Sequence, residues 1–253
     1  MSPPGRYAVV IAALVAMSAS GCTNSADSPA AEITVFAAAS LQKTFTQLGQ
    51  QFEAANPGTA VVFNFGGSSD LVAQLQQGAP GDLFASADAA TMDKAVDDAL
   101  ITGEPTVFAT NSMEIAVPPG NPAGIDSFAA LADPDVNVVV CAPQVPCGAA
   151  TQTIEENTGV MLSPVSEENS VTDVLGKVTS GEADAGIVYV TDVKAAGDTV
   201  ETIEIPVAVN ATNRYPIGVL AGSGSPELAE HFQDFVLGPQ GQQVLADAGF
   251  GGP

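Results

Sequence analysis

Short β-branched runs alternate with amphipathic segments from Ile33 almost to the C-terminus, and this alternation leaves only a few architectures open. Ile33-Thr-Val-Phe-Ala37 has the character of a strand. After it, Leu41, Phe45, Leu48 and Phe52 recur at helical spacing, giving one apolar face that Asn56-Pro57-Gly58 ends. Val61 to Phe65 and Asp82 to Ala85 repeat the strand pattern, and helical stretches follow at Ser69 to Gln77 and Met92 to Leu100. A second series has a strand at Val136 to Cys141, helices at Ala149 to Asn157 and Thr172 to Thr179, and a strand at Gly186 to Tyr189. A strand from Arg214 to Leu220 precedes two closing helices, one carrying Leu228, Phe232 and Phe235, the other Val244 and Leu245. The pattern predicts an α/β fold with mostly parallel sheets. No fixed-period repeat is visible.

Charge narrows the function. The 253 residues include 29 Asp+Glu against 6 Lys+Arg and one His, a formal net charge of -23. Such a chain repels phosphate backbones, which excludes nucleic acid as a partner. At 46% hydrophobic and 14% charged it is too apolar for a disordered acidic tail. With His231 alone, a histidine-rich metal site is out of reach and a Ser-His-Asp triad would rest on that one residue. An enzyme is therefore disfavoured.

The N-terminus has the form of an export signal. Arg6 is its only charge, Tyr7 to Met17 form a short apolar stretch, and Ala19-Ser20-Gly21-Cys22 follows. The stretch is too short for a membrane span. Small residues running into cysteine resemble a bacterial lipobox, with Ala19 in place of the usual Leu or Val. On that reading residues 1–21 are removed, Cys22 is lipidated, and 22–31, rich in Ser, Ala, Asp and Pro, form a tether at the outer face of the cell membrane. Ordinary cleavage nearby, releasing a secreted protein, is the alternative. Cys141 and Cys147 then remain as a pair in an oxidising compartment, separated by Ala-Pro-Gln-Val-Pro. A disulfide between them is expected; a metal held by that pair alone is the weaker reading.

Parallel sheets bind ligands outside the carboxyl ends of their strands, so the turns there matter most. Four of them are Ala37-Ala-Ala-Ser40, Gly66-Gly-Ser68-Ser69, Val145-Pro-Cys147-Gly148 and Asn169-Ser170-Val171-Thr172. They offer hydroxyls and backbone N–H groups and contain no Lys or Arg. Helix N-termini each present about half a positive charge, so four converging would amount to about two, a match for a dianion. Serine at a helix start is nevertheless most often a cap for its own helix, and Ser170 with Asp173 has the form of a capping box.

Ile33-Thr-Val-Phe-Ala-Ala-Ala-Ser-Leu41 resembles the opening of the bacterial periplasmic molybdate-binding proteins. The likeness continues through Phe65-Gly-Gly-Ser-Ser-Asp-Leu71 and is strongest over Gln76-Gln-Gly-Ala-Pro-Gly-Asp-Leu-Phe-Ala-Ser-Ala-Asp88 with Met92-Asp93. Val145 to Gly148, Gly186 to Tyr189 with Asp192, Tyr215-Pro216 and Gly238-Pro-Gln240 extend it over nearly the whole chain after the leader.

The resemblance implies a two-lobed periplasmic-binding-protein fold (type II), lobe 1 from 32–112 plus about 212–253 and lobe 2 from 113–211. Between the lobes an oxyanion would be held by neutral donors: hydroxyl and N–H of Ser40 and Ser68, the N–H groups of Cys147 and Val171, and the phenol of Tyr189. Ser69 competes with Ser68 for its role, and Cys147 stands where the family usually has Ala. The resemblance further implies a monomeric receptor that takes molybdate, and tungstate, to an ABC permease and its ATPase, with no cofactor and no direct metal ligand. A receptor for sulfate or thiosulfate is the alternative within this class. A secreted hydrolase using Ser40 or Ser68 with His231 is the alternative outside it.

Overall fold

The computed structural model describes residues 31–253. The leader, Cys22 and the tether up to residue 30 lie outside the described residues; Ala31, the last residue assigned to the tether, already belongs to the first strand.

The first series builds one side of the molecule: β1 (Ala31–Ala38), α1 (Gln42–Ala55), β2 (Thr59–Gly66), α2 (Ser68–Gln76), β3 (Leu83–Ala85) and α3 (Ala89–Asp97). A short 3-10 turn, Ala39–Leu41, joins β1 to α1. β1 pairs in parallel with β2 and β3, as βαβ connections require. The apolar stripe of α1 is real, since Phe45, Leu48 and Phe52 are all 0% exposed. The Asn56 side-chain amide donates to the Phe52 carbonyl and Gly58 takes φ 93°, which closes the helix.

The second side contains β5 (Val138–Cys141), α4 (Pro146–Thr158), β6 (Ser166–Glu168), α5 (Val171–Thr179), β7 (Ala185–Tyr189), α6 (Val190–Ala196) and β8 (Glu201–Glu204). β5 lies parallel to both β6 and β7. The two sides meet on β4 (Thr106–Val117), a strand the sequence pattern did not single out, and β9 (Thr212–Val219). The first half of β4 pairs antiparallel with β9, and from Met113 onward it pairs antiparallel with β7 and β8. The sheet runs β2-β1-β3-β9-β4-β7-β5-β6, with β8 off the path on β4. Parallel strands thus form the two wings, and antiparallel strands form the middle.

The closing helices, α7 (Pro226–Leu237) and α8 (Pro239–Ala248), return to the first side. Phe232 of α7 meets Phe45 and Phe52 edge-on, with centroids 6.4 and 5.2 Å apart. This aromatic centre fixes α1 and so the turn at Ser40 that precedes it. α4 begins three residues earlier than its periodicity predicts: Pro146 occupies the first helical position, where its missing N–H costs nothing, and Cys147 falls inside the first turn. Among the described residues no helix is long and apolar enough to cross a membrane.

Candidate functional site

The carboxyl ends of β1, β2 and β7 and the starts of α2, α4 and α5 surround one small cavity, about 10 Å³ in volume. Ser40, Ser68, Cys147, Val171 and Tyr189 all line it, so the five positions drawn from four separate turns and a strand end come together. No charged side chain lines it. Such a volume accepts about one water-sized sphere.

Ser68 opens α2 and is 1% exposed. Its Oγ accepts the N–H of Ala87 at 3.0 Å, so its own proton is free to point elsewhere. Ser69 does not line the cavity; its hydroxyl donates to the Gln144 carbonyl at 2.6 Å, across to the loop before α4. Geometry therefore favours Ser68 over Ser69 as the inward hydroxyl. Gly67, the N-cap of α2, allows this closeness: a Cβ there would overlap the carbonyl oxygen of Asn169.

Tyr189 ends β7 and is 1% exposed. Its hydroxyl oxygen accepts from Asn213 Nδ2 at 2.9 Å. Burial, then the neighbouring Tyr215, Asp88 and Asp192, hold this phenol well above its ordinary range, so it stays a neutral donor. Ser40 Oγ lies 3.0 Å from the Tyr215 hydroxyl. Tyr215, also raised by burial, receives Asn111 Nδ2 at 3.4 Å.

Cys147 and Val171 lie in the first turns of α4 and α5. The first N–H groups of a helix have no intrahelical acceptor, and neither α2 nor α4 has a side chain capping its start. α5 differs, because Ser170 Oγ accepts from Asp173 N at 3.2 Å as the capping pattern predicts. Cys141 and Cys147 are joined in a disulfide, Cα atoms 5.6 Å apart, which ties the first turn of α4 to the end of β5. Behind Tyr189 the carboxylate of Asp192 accepts the Tyr189 N–H at 3.0 Å; burial raises its pKa to about 7.

Sequence reasoning did not assign Ala87, Asn111, Asn213 or Tyr215 to the site, although Ala87 and Tyr215 stand in the motifs quoted above; all four are buried. A signal was present: Asn213, Tyr215 and Ile217 face one way on β9, so Asn213 is a polar residue in an apolar alternation. His231 is on the exposed side of α7, its ring 5.1 Å from that of Phe52, and it does not line the cavity. Among the described residues no group of three or more His, Cys, Asp or Glu could hold a metal ion.

Residues 33–251 match the family described as bacterial extracellular solute-binding protein. The chain belongs to this family. This solute-binding protein is 50% identical over 249 residues to a molybdate-binding protein (ModA) of Mycobacterium tuberculosis, an alignment covering 97% of this chain and 95% of the relative. Its fold is similar to that of a periplasmic molybdate-binding protein of Azotobacter vinelandii, with TM-score 0.78, 24% identity, and 87% and 99% of the two chains covered. The sulfate-binding protein SubI of M. tuberculosis is also similar, with TM-score 0.73, 22% identity, and 87% and 86% covered. Those two likenesses establish the architecture and leave the choice of ion to the cavity.

Proposed function

We propose that this solute-binding protein captures molybdate outside the cytoplasm and delivers it to an ABC importer, with tungstate as a second ligand. One observation carries the reading: the cavity has no charged lining, and the Ser68 and Tyr189 hydroxyl oxygens each lie within reach of an N–H donor, so each hydroxyl keeps its own proton to offer to another acceptor. A fully deprotonated oxyanion offers only acceptors and suits such a cage. Hydrogen phosphate brings a hydroxyl that needs an acceptor, and burying it unpaired costs about 1–3 kcal/mol. Sulfate is acceptor-only but smaller, so in this proposal donors set for the larger ion would stand too far from it. The high identity to molybdate-binding relatives supports the same choice.

In this proposal Ser40 and Ser68 hold the ion from lobe 1 (32–112 plus about 212–253), and Cys147, Val171 and Tyr189 from lobe 2 (113–211). The change of partners along β4 at Ser112 and Met113 supports that division. Closure would present one surface to the permease, and the protein itself would do no chemistry: with His231 outside the cavity, the serine–histidine pair of a hydrolase is not formed. A monomer anchored through Cys22 at the outer membrane face is part of the same proposal.

Thermal unfolding in molybdate, tungstate, sulfate and phosphate at equal ionic strength tests it. A ligand at about a hundred times its dissociation constant adds about 2.7 kcal/mol, a shift of a few degrees for a chain of this size. A rise in midpoint with molybdate and tungstate is expected; equal or larger rises with sulfate would transfer the receptor to that ion.

A further inference from the structure

Asn213 lies on β9 directly opposite Asn111 of β4, in the seam between the two sides of the sheet, and is 8% exposed. The two hydrogens of its Nδ2 are shared among three oxygens: the Ala87 carbonyl at 2.9 Å, the Pro146 carbonyl at 3.3 Å and the Tyr189 hydroxyl at 2.9 Å. Two of these acceptors are carbonyls, which can only accept. The nitrogen of the side-chain amide must therefore face them, and the reversed amide would set oxygen against oxygen. The amide nitrogen has two N–H groups to share among these oxygens and no lone pair to accept with, so the phenol proton of Tyr189 is turned away from the amide. Ala87, held at its carbonyl by Asn213, uses its N–H to hold Ser68 Oγ. Pro146 immediately precedes Cys147, whose N–H starts α4. One side chain thus braces three of the five cavity positions, drawn from both sides of the molecule.

We propose that Asn213 is a specificity-determining positioning residue, which keeps Tyr189 a donor toward the cavity and so makes the site reject oxyanions that carry a proton. The proposal rests on the oxyanion-receptor reading and extends it. An aspartate at 213 would accept from Tyr189 instead, turn the phenol proton outward and offer a lone pair to the cavity. An alanine would remove the constraint without reversing it.

Calorimetric affinities of the parent, Asn213→Ala and Asn213→Asp for molybdate and hydrogen phosphate test this above neutral pH, where both ions carry two charges and differ in one proton. Molybdate affinity should fall about tenfold or more in Asn213→Ala, and the molybdate-to-phosphate ratio should narrow in both variants, by about tenfold or more in Asn213→Asp. A brace with no role in selectivity would weaken both ions alike, and an unchanged ratio in Asn213→Ala would overturn the proposal even if Asn213→Asp failed to fold. A parent that bound no oxyanion would instead overturn the receptor reading, and this inference with it.

Discussion

Two serines stand at two helix starts on opposite sides of one cleft and serve opposite ends. Ser170 at the head of α5 turns its hydroxyl back on its own helix, accepting from Asp173 N and donating to the Asp173 carboxylate at 2.7 Å. Ser68 at the head of α2 leaves its helix uncapped, and its oxygen is occupied by the N–H of Ala87 from another loop. Ser170 is the N-cap of α5 and closes its own helix, whereas Ser68 comes one residue after the N-cap Gly67 and lines the cavity. A one-residue difference in position frees Ser68 from capping, and the group that then occupies its oxygen, Ala87 N–H, comes from a distant loop with no local signature.

The sharpest way to break this comparison is at Gly67, where α2 meets the chain entering α5. Gly67→Ala puts a methyl into the Asn169 carbonyl, so the two helix starts must separate, and molybdate affinity should fall about a hundredfold by calorimetry. Ser68→Ala removes one donor to a charged ligand and should cost about tenfold to a hundredfold in affinity; unchanged binding would remove Ser68 from the cage.

Asp192 extends the comparison to α6, another helix that supplies its own cap. Its pKa is raised from 3.8 to about 7 by burial, so the folded chain holds a proton that the unfolded chain has released. Stability linked to this group is complete below about 4 and declines as pH rises through about 7. Melting midpoints across that range should fall less steeply in Asp192→Asn than in the parent. The smallest effect is expected at Ser170→Ala, which should cost about 1 kcal/mol in denaturant unfolding and leave molybdate affinity unaltered. A large loss of affinity there would collapse the distinction between the two serines.

Much of the fold could be read from the sequence because apolar periodicity is a local record of burial. Leu41, Phe45, Leu48 and Phe52 announce α1, and β1, β2 and β7 appear as β-branched runs. β4 escaped because Thr106 to Val117 carries Asn111, Ser112 and Glu114 among its apolar residues, and its partners lie far along the chain. The five cavity positions were legible through family motifs, whereas Asn213 and Tyr215 were not assigned to the site. Their role depends on β9 crossing the seam, and no spacing near residue 213 encodes the approach of Ala87 or Tyr189.

That β4 belongs to both sides has a consequence for how the molecule breathes. A connection through loose linkers would let each side drift freely, but one unbroken strand with antiparallel neighbours on either half permits mainly a bend about its own middle. Amides of β4 and β9 should therefore resist exchange with deuterated water whether or not an ion is bound. Slowing of exchange by ligand should concentrate at the first turns of α2, α4 and α5, drawing the outline of the cleft as a map of minutes and hours.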